Sequence, residues 1–205
     1  MTPTTILVTA ILGAIGLLVA LIARPSVTTA RGGRVVAFLA LAVMPVLVGL
    51  LGLQEHMERS KTTEFCLSCH PMERYGKSLH VDDIAFLPAA HYQFGRVPRE
   101  TACFSCHTNY TMFGDYKAKL NGLHHVWVQY LGKVPEHIEL YQPFNNRECL
   151  HCHDQSRSFL ESVTHKTPGL EAIRANKASC LGKGCHDTIH AVDKLDGATF
   201  WEAKL

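Results

Sequence analysis

Apolar positions are distributed along the chain in long runs first and short ones later. From Met1 to Ala23 no residue is charged, and residues 6–23 are almost wholly apolar. A second charge-free stretch runs from Val35 to Gln54. Each is close to the roughly 20 residues a helix needs to cross a bilayer core of about 30 Å. The pattern predicts two membrane-spanning helices, over residues 5–23 and 35–54. Pro45 interrupts the second, a kink that membrane helices tolerate. A cleaved signal peptide would begin with a basic region. Met1-Thr2-Pro3-Thr4-Thr5 has none, so the first helix is expected to be retained.

Beyond Gln54 the apolar positions scatter, with one exception. Phe113, Tyr116, Leu120, Leu123, Trp127 and Tyr130 recur at alternating spacings of three and four, which is one face of an amphipathic helix. Its aromatic residues suit the boundary between membrane and water. Lys117, Asn121 and His124, at i, i+4 and i+7, share another face.

Charge sharpens this division. Residues 1–54 contain no Asp or Glu, and their only charges are Arg24, Arg31 and Arg34 around the link between the two apolar runs. The other 17 basic and all 18 acidic side chains belong to residues 55–205, a formal −1. This excludes a plain soluble globule, a fully embedded transporter and a disordered chain. The lack of a basic cluster argues against nucleic acid as a partner. Positive residues stay on the cytoplasmic side, so the link should lie inside and both ends outside. The expected architecture is mainly α with much loop. Residues 1–54 form a transmembrane hairpin, and residues 55–205 a domain on the periplasmic side of a bacterial cytoplasmic membrane.

The eight cysteines carry the chemistry. They fall as Cys66-Leu67-Ser68-Cys69-His70, Cys103-Phe104-Ser105-Cys106-His107, Cys149-Leu150-His151-Cys152-His153 and Cys180-Leu181-Gly182-Lys183-Gly184-Cys185-His186. Three are C-x-x-C-H, the attachment signature of c-type haem. Two thiols add to the two vinyl groups of the macrocycle, and the next residue brings its imidazole to the iron. The fourth motif has two extra residues, and Gly182 and Gly184 are expected to let that loop fold back. Zinc would explain cysteine pairs, and disulfides suit an outside location. Neither explains a histidine after every second cysteine, a coincidence of roughly one in 10⁵ at this histidine frequency. Four covalent haems are therefore expected. Haem faces should replace much of the ordinary core, leaving short helices and long loops. Eight propionates would make the outer domain acidic.

Low-spin haem iron needs a second strong ligand, most often His or Met. Nine further histidines compete for the role: His56, His80, His91, His124, His125, His137, His151, His165 and His190.

The run Thr63-Glu64-Phe65-Cys66-Leu67-Ser68-Cys69-His70-Pro71-Met72 resembles the first haem site of the NapC/NirT-type membrane-anchored tetrahaem quinol dehydrogenases. That family includes the anchor subunit of periplasmic nitrite reductase. The likeness continues in His91-Tyr92, twelve residues before Cys103, in Asn146-Arg147-Glu148-Cys149, and in His165 and His190, covering roughly residues 50 to 192. The resemblance implies Met72 as proximal ligand of haem 1 in place of His70, with His107, His153 and His186 proximal to haems 2, 3 and 4. As distal ligands it implies His190 for haem 2, His91 for haem 3 and His165 for haem 4. Two features depart from the family pattern. The family usually has one membrane helix, and its fourth motif usually has the shorter spacing.

The family also places a lysine twelve residues after the second motif's histidine, beside a quinol pocket near haem 1; Lys119 stands there. Oxidising a quinol releases two protons, so an acceptor is required nearby, and His124 and His125 are the candidates. Two functions stay open. One is a quinol dehydrogenase that passes electrons from the membrane quinone pool to a periplasmic or membrane redox protein. The other is a non-catalytic relay or anchor subunit of a larger respiratory or photosynthetic complex, which the additional membrane helix favours. Either implies a place in an oligomer or complex.

Overall fold

The structure is a computed structural model that describes residues 2–135 and 143–202. His137 lies outside the described residues. The chain divides into two compact units, Met1–Ser60 and Lys61–Leu205. Among the described residues it is helical throughout, with no strand and one isolated antiparallel bridge between Val81 and Phe200.

The first unit is a helical hairpin. Helix α1 (Pro3–Ala23) opens on Thr2, whose hydroxyl accepts from the Thr5 N–H, with Pro3 in the first turn, where a missing N–H costs nothing. At 1.5 Å per residue its 21 residues span roughly 30 Å. The second helix is continuous over Arg31–Arg59 and longer at both ends than the charge-free run predicted. It comprises α2 (Arg31–Phe38), a π-helical segment Leu39–Val43, and α3 (Met44–Arg59). The π segment lies immediately ahead of Pro45. Proline cannot donate to the carbonyl four residues back, and its ring crowds that carbonyl, so the helix widens there. At the open end of the hairpin the Thr4 hydroxyl donates to Glu55 Oε1 at 2.8 Å. Both helices are long and apolar enough to cross a bilayer.

The second unit is built from short pieces: α4 (Thr63–Leu67), α5 (Glu73–Ser78), α6 (Leu87–Gln93), α7 (Ala102–Cys106), α8 (Gly114–Leu131), α9 (Arg147–His153), α10 (Arg157–Glu161), α11 (Val163–Lys166) and α12 (Leu170–Arg174). Only α8 exceeds two turns. The largest apolar cluster of buried side chains is Val81, Phe86, Ala89 and Leu195, edged by Ala191, Val192 and Ala198. It forms because residues 188–201 return onto α5 and α6. Leu87 N–H donates to Thr188 O at 3.1 Å, Asp82 N–H to Thr199 O at 2.9 Å and Trp201 N–H to His80 O at 2.7 Å. Gln93 ties α6 to the end of α5 by donating to Leu79 O and Val81 O. A second block packs α9 to α12 around buried Phe159 and Ile173, with Arg174 Nε donating to Asp154 at 2.6 Å. These cores are thin for the length of chain they organise, since each ordered residue costs about 1–2 kcal/mol of backbone entropy.

Candidate functional site

The four motifs are brought together in two pairs, and the same device is used twice. Thr63 and Asn146 each stand three residues before the first cysteine of a motif. The Thr63 hydroxyl donates to Arg99 O at 2.7 Å and accepts from Ala102 N–H at 2.8 Å, the residue before Cys103. Asn146, 1% exposed, donates from Nδ2 to Ile173 O and Ala178 O. Its Oδ1 accepts from Cys180 N–H at 2.8 Å. As a result the Cys66 thiol hydrogen-bonds that of Cys103, and the Cys149 thiol that of Cys180. The contact with Cys103 holds Cys66 down at about 7 and pushes Cys103 up; Cys180 and Cys149 repeat the split. In every motif the first cysteine is half-buried and the second, Cys69, Cys106, Cys152 or Cys185, is exposed. Among the described residues, no three His, Cys, Asp and Glu side chains converge on a metal-sized point.

Backbone geometry keeps cysteine and histidine in step. In the second motif His107 N–H donates to Cys103 O at 2.9 Å, an ordinary helical bond. In the fourth, His186 N–H donates to Cys180 O at 3.0 Å although two more residues intervene. The extra length is looped out by a turn with Gly184 at φ +81°, a left-handed conformation open to glycine, and Gly184 N–H is held by Asp187 at 2.9 Å. Gly182 is not in the left-handed region, so only one of the two glycines uses that freedom.

Three imidazole pairs stand opposite each other across the unit, near-parallel for His107 and His190 (18°), tilted for His165 and His186 (52°) and edge-on for His91 and His153 (78°). Ring centroids are 6.2 Å apart for His107 and His190, 5.9 Å for His91 and His153, and 6.2 Å for His165 and His186. An iron midway between two imidazoles, with metal–nitrogen bonds of about 2 Å, sets centroids roughly 6 Å apart. The residues therefore fit haem c, whose macrocycle supplies the four remaining ligands and so needs only two from the protein. Burial lowers the pKa of His107 and His153, and holds His190 at about 4. Each shift favours the neutral imidazole, the form that binds a metal.

Around motif 1 the arrangement differs. His70 begins a short turn, His70–Met72, that leads into α5, with Met72 half-buried and His70 Nδ1 3.6 Å from Glu73. A hollow of ≈ 540 Å³ opens beside it, lined by Leu67, Ser68, Cys69, His70, Glu73, Gly76, Lys77 and His80. His80 also stacks near-parallel on Trp201, with centroids 6.5 Å apart. Of the remaining histidines, His56 belongs to α3 and His151 stacks on Tyr110 at 3.8 Å.

Helix α8 starts where a Cβ on Gly114 would overlap the Asn109 carbonyl oxygen, so only glycine fits. It carries Lys119, whose Nζ stands 4.5 Å from the centroid of the Phe104 ring in motif 2. Burial lowers the Lys119 pKa, and Cys66 is near enough to raise it in part. Lys61, paired with Asp115 at 2.8 Å, faces the same ring. Burial, then His124, lowers the His125 pKa, and His125 is close enough to His107 to affect it in turn. At 100° per residue the helix sets Lys119 about 140° from His124 and about 120° from His125. The three candidate residues thus share a helix and not a face. The stripe Phe113, Tyr116, Leu120, Leu123, Trp127 and Tyr130 is exposed along its whole length, from 53% at Tyr116 to 79% at Tyr130.

The sequence named Thr63 and Asn146 only as members of the resembling runs, without a role, and did not single out Ser78 or Tyr110. The first two had a signal, the shared offset of three from a first cysteine. Tyr110, whose hydroxyl donates to Ser105 O in motif 2 while its ring covers His151 in motif 3, had none.

Helices that can cross a membrane, joined to a small helical unit organised on cysteine–histidine motifs, define a membrane-anchored c-type cytochrome, a class that holds haem covalently. The chain belongs to the NapC/NirT cytochrome c family, whose N-terminal region matches residues 29–194. It is 25% identical over 163 residues to the cytochrome c-type protein NapC of Haemophilus influenzae, a match covering 72% of this chain and 76% of that protein. No solved structure matches it.

Proposed function

We propose that this chain is a tetrahaem quinol dehydrogenase on the outer face of the bacterial cytoplasmic membrane. Arg24, Arg31 and Arg34 keep the hairpin link on the cytoplasmic side, so that Lys61–Leu205 lies in the periplasm. Each cysteine pair holds one haem, four in all. His107 and His190 ligate haem 2, His153 and His91 haem 3, and His186 and His165 haem 4, while Met72 takes the iron of haem 1 in place of His70. Haem c, when bound, supplies a one-electron couple at each motif.

The observation that carries the quinol reading is Lys119. Its half-buried ammonium stands over Phe104 and within electrostatic reach of Cys66, on a helix that bears a bare aromatic stripe. There it donates a hydrogen bond that orients a quinol headgroup beside motif 1. Conversion of quinol to quinone releases two electrons and two protons. The electrons leave singly, and His124 and His125 supply one proton-accepting imidazole for each proton, reached through water because the helix turns them away from Lys119. A periplasmic redox protein then takes the electrons.

Reduction of the purified full-length protein by a quinol analogue, followed optically, tests this. Lys119→Ala is expected to slow quinol-driven reduction roughly 10-fold, as the loss of a charged hydrogen bond costs about 1.5–3 kcal/mol. Reduction by dithionite should be unchanged. The two-helix anchor favours a second reading, a relay subunit wired to a membrane partner. That reading prevails if the wild-type protein accepts electrons from no quinol yet passes them between protein partners.

A further inference from the structure

His91, His165 and His190, which face the three post-cysteine histidines, are each held from behind through Nδ1. His91 donates to Leu87 O at 2.8 Å and His165 to Phe159 O at 3.0 Å, both backbone carbonyls a short distance along the same stretch of chain. His190 is different. Its Nδ1 meets the hydroxyl of Ser78 at 2.6 Å, a residue 112 positions away in sequence and fully buried. The Ser78 hydroxyl has one proton, and it donates this to Tyr75 O at 2.6 Å. Its oxygen is therefore left to accept the His190 Nδ1–H. The chain of bonds runs from His190 through Ser78 to the Tyr75 carbonyl, and it fixes the tautomer that leaves Nε2 unprotonated, on a ring whose centroid is 6.2 Å from that of His107.

The backbone at this place is held against its own preference. His190 and Ala191 sit at φ +53° and +35°, a region that non-glycine residues avoid. Helix α5 supplies what holds them. The Tyr75 ring meets His190 edge-on at 5.3 Å, and Arg74 Nη2 donates to Val192 O at 2.7 Å and to Asp196 at 3.2 Å. Ser78 closes the C-terminal end of the same helix, whose N-terminal end follows directly on Met72.

We propose that Ser78 is a positioning residue for His190 and, through it, sets the reduction potential of haem 2. The inference rests on the reading of His107 and His190 as one ligand pair. A hydroxyl that already donates to a carbonyl is a polarised acceptor, so it draws the Nδ1 proton more strongly than a lone hydroxyl would. The imidazole becomes more basic and favours the oxidised iron. No other distal histidine has a side chain in this place among the described residues, so the effect should fall on one haem alone.

The test uses the full-length holoprotein, with redox titration and electron paramagnetic resonance as readouts. Ser78→Ala should keep all its haem by intact mass, while one low-spin haem changes its g values and titrates higher. The expected shift is on the order of tenfold in its reduction equilibrium, which is about 59 mV for a one-electron couple. Ser78→Thr, which keeps the hydroxyl, should return both readouts toward wild type. Unchanged potentials and g values in Ser78→Ala, or a Thr variant as displaced as the Ala one, overturn the proposal. Should Ser78→Ala fail to accumulate, Ser78→Gly, tolerated at the last turn of α5, replaces it with the same expected shift and the same overturning result. A separate arm isolates the ligand reading. His190→Ala should convert one low-spin haem to high-spin, and if it does not, the ligand pair is wrong whatever Ser78 does.

Discussion

Asn146 shows how much of this unit hangs on single polar side chains. It is buried, and it satisfies one carbonyl of helix α12, at Ile173, together with the Ala178 carbonyl and the Cys180 amide of the segment that follows. Replacement by alanine strands the Ala178 carbonyl and the Cys180 amide, at about 1–3 kcal/mol for each buried unpaired group, while Ile173 O keeps the Asn176 N–H. Asn146→Ala should therefore lower stability by about 3 kcal/mol or more in denaturant unfolding of the holoprotein, and loss should be concentrated in motifs 3 and 4. Thr63→Val removes two bonds between motifs 1 and 2 and is expected to cost less, about 2 kcal/mol. If Asn146→Ala unfolds at the wild-type denaturant concentration, its bonds are incidental. The signal for both residues was present in the chain as an offset of three. It takes meaning only once the loops that they tie are seen to lie together.

Helix α8 is the element in which local pattern and structure agree most closely. The three-and-four spacing foretold one exposed stripe, and the helix over Gly114–Leu131 carries it. An aromatic face of this size left open to water calls for an apolar partner, and a lipid surface is the partner that suits a chain with its own membrane helices. Leu123→Asp combined with Trp127→Asp should slow reduction by a long-chain quinol held in liposomes several-fold. A short-chain quinol dissolved in water should reduce the variant at the wild-type rate. Equal slowing with both donors would remove the bilayer from the explanation. The loop of motif 4 makes a different demand. Gly184 has open space for a Cβ, but at φ +81° a left-handed alanine costs about 1–2 kcal/mol. Gly184→Ala is expected to produce a fraction of molecules one haem lighter by intact mass. A fully loaded population would show that the loop has another way to close.

At the scale of the whole molecule, the second unit has little apolar interior of its own. Its buried apolar side chains among the described residues are Leu79, Val81, Phe86, Ala89, Ala102, Phe159, Ile173 and Leu195. Cofactor faces must complete the packing, so folding and haem attachment should be one event, as in small metal-dependent domains. Expressed without the haem-attachment machinery, the chain should keep its membrane helices but lose Lys61–Leu205 to proteolysis. With the machinery present, intact mass should show four haems, one of them spectroscopically distinct at motif 1. A protease-resistant haem-free unit would contradict this account.

By itself the sequence determined whatever depends on neighbours along the chain. Two charge-free runs become two apolar helices because a bilayer core asks only for length and the absence of charge. The stripe of α8 is legible because 3.6 residues per turn is a local rule. The cysteine–histidine motifs identify a c-type cytochrome because the attachment chemistry is completed within five to seven residues. Tertiary structure alone decided the rest. Nine histidines were available, and it is packing that sets His190 6.2 Å from His107 across more than eighty residues. The same packing sets Lys119 over Phe104 while the helix carries His124 and His125 round to other sides. Ser78 is an unremarked serine at the end of a six-residue helix until residues 188–201 fold back over it and bring His190 to its hydroxyl. Contacts of this kind join segments whose separation in sequence carries no periodicity, so no local pattern encodes them.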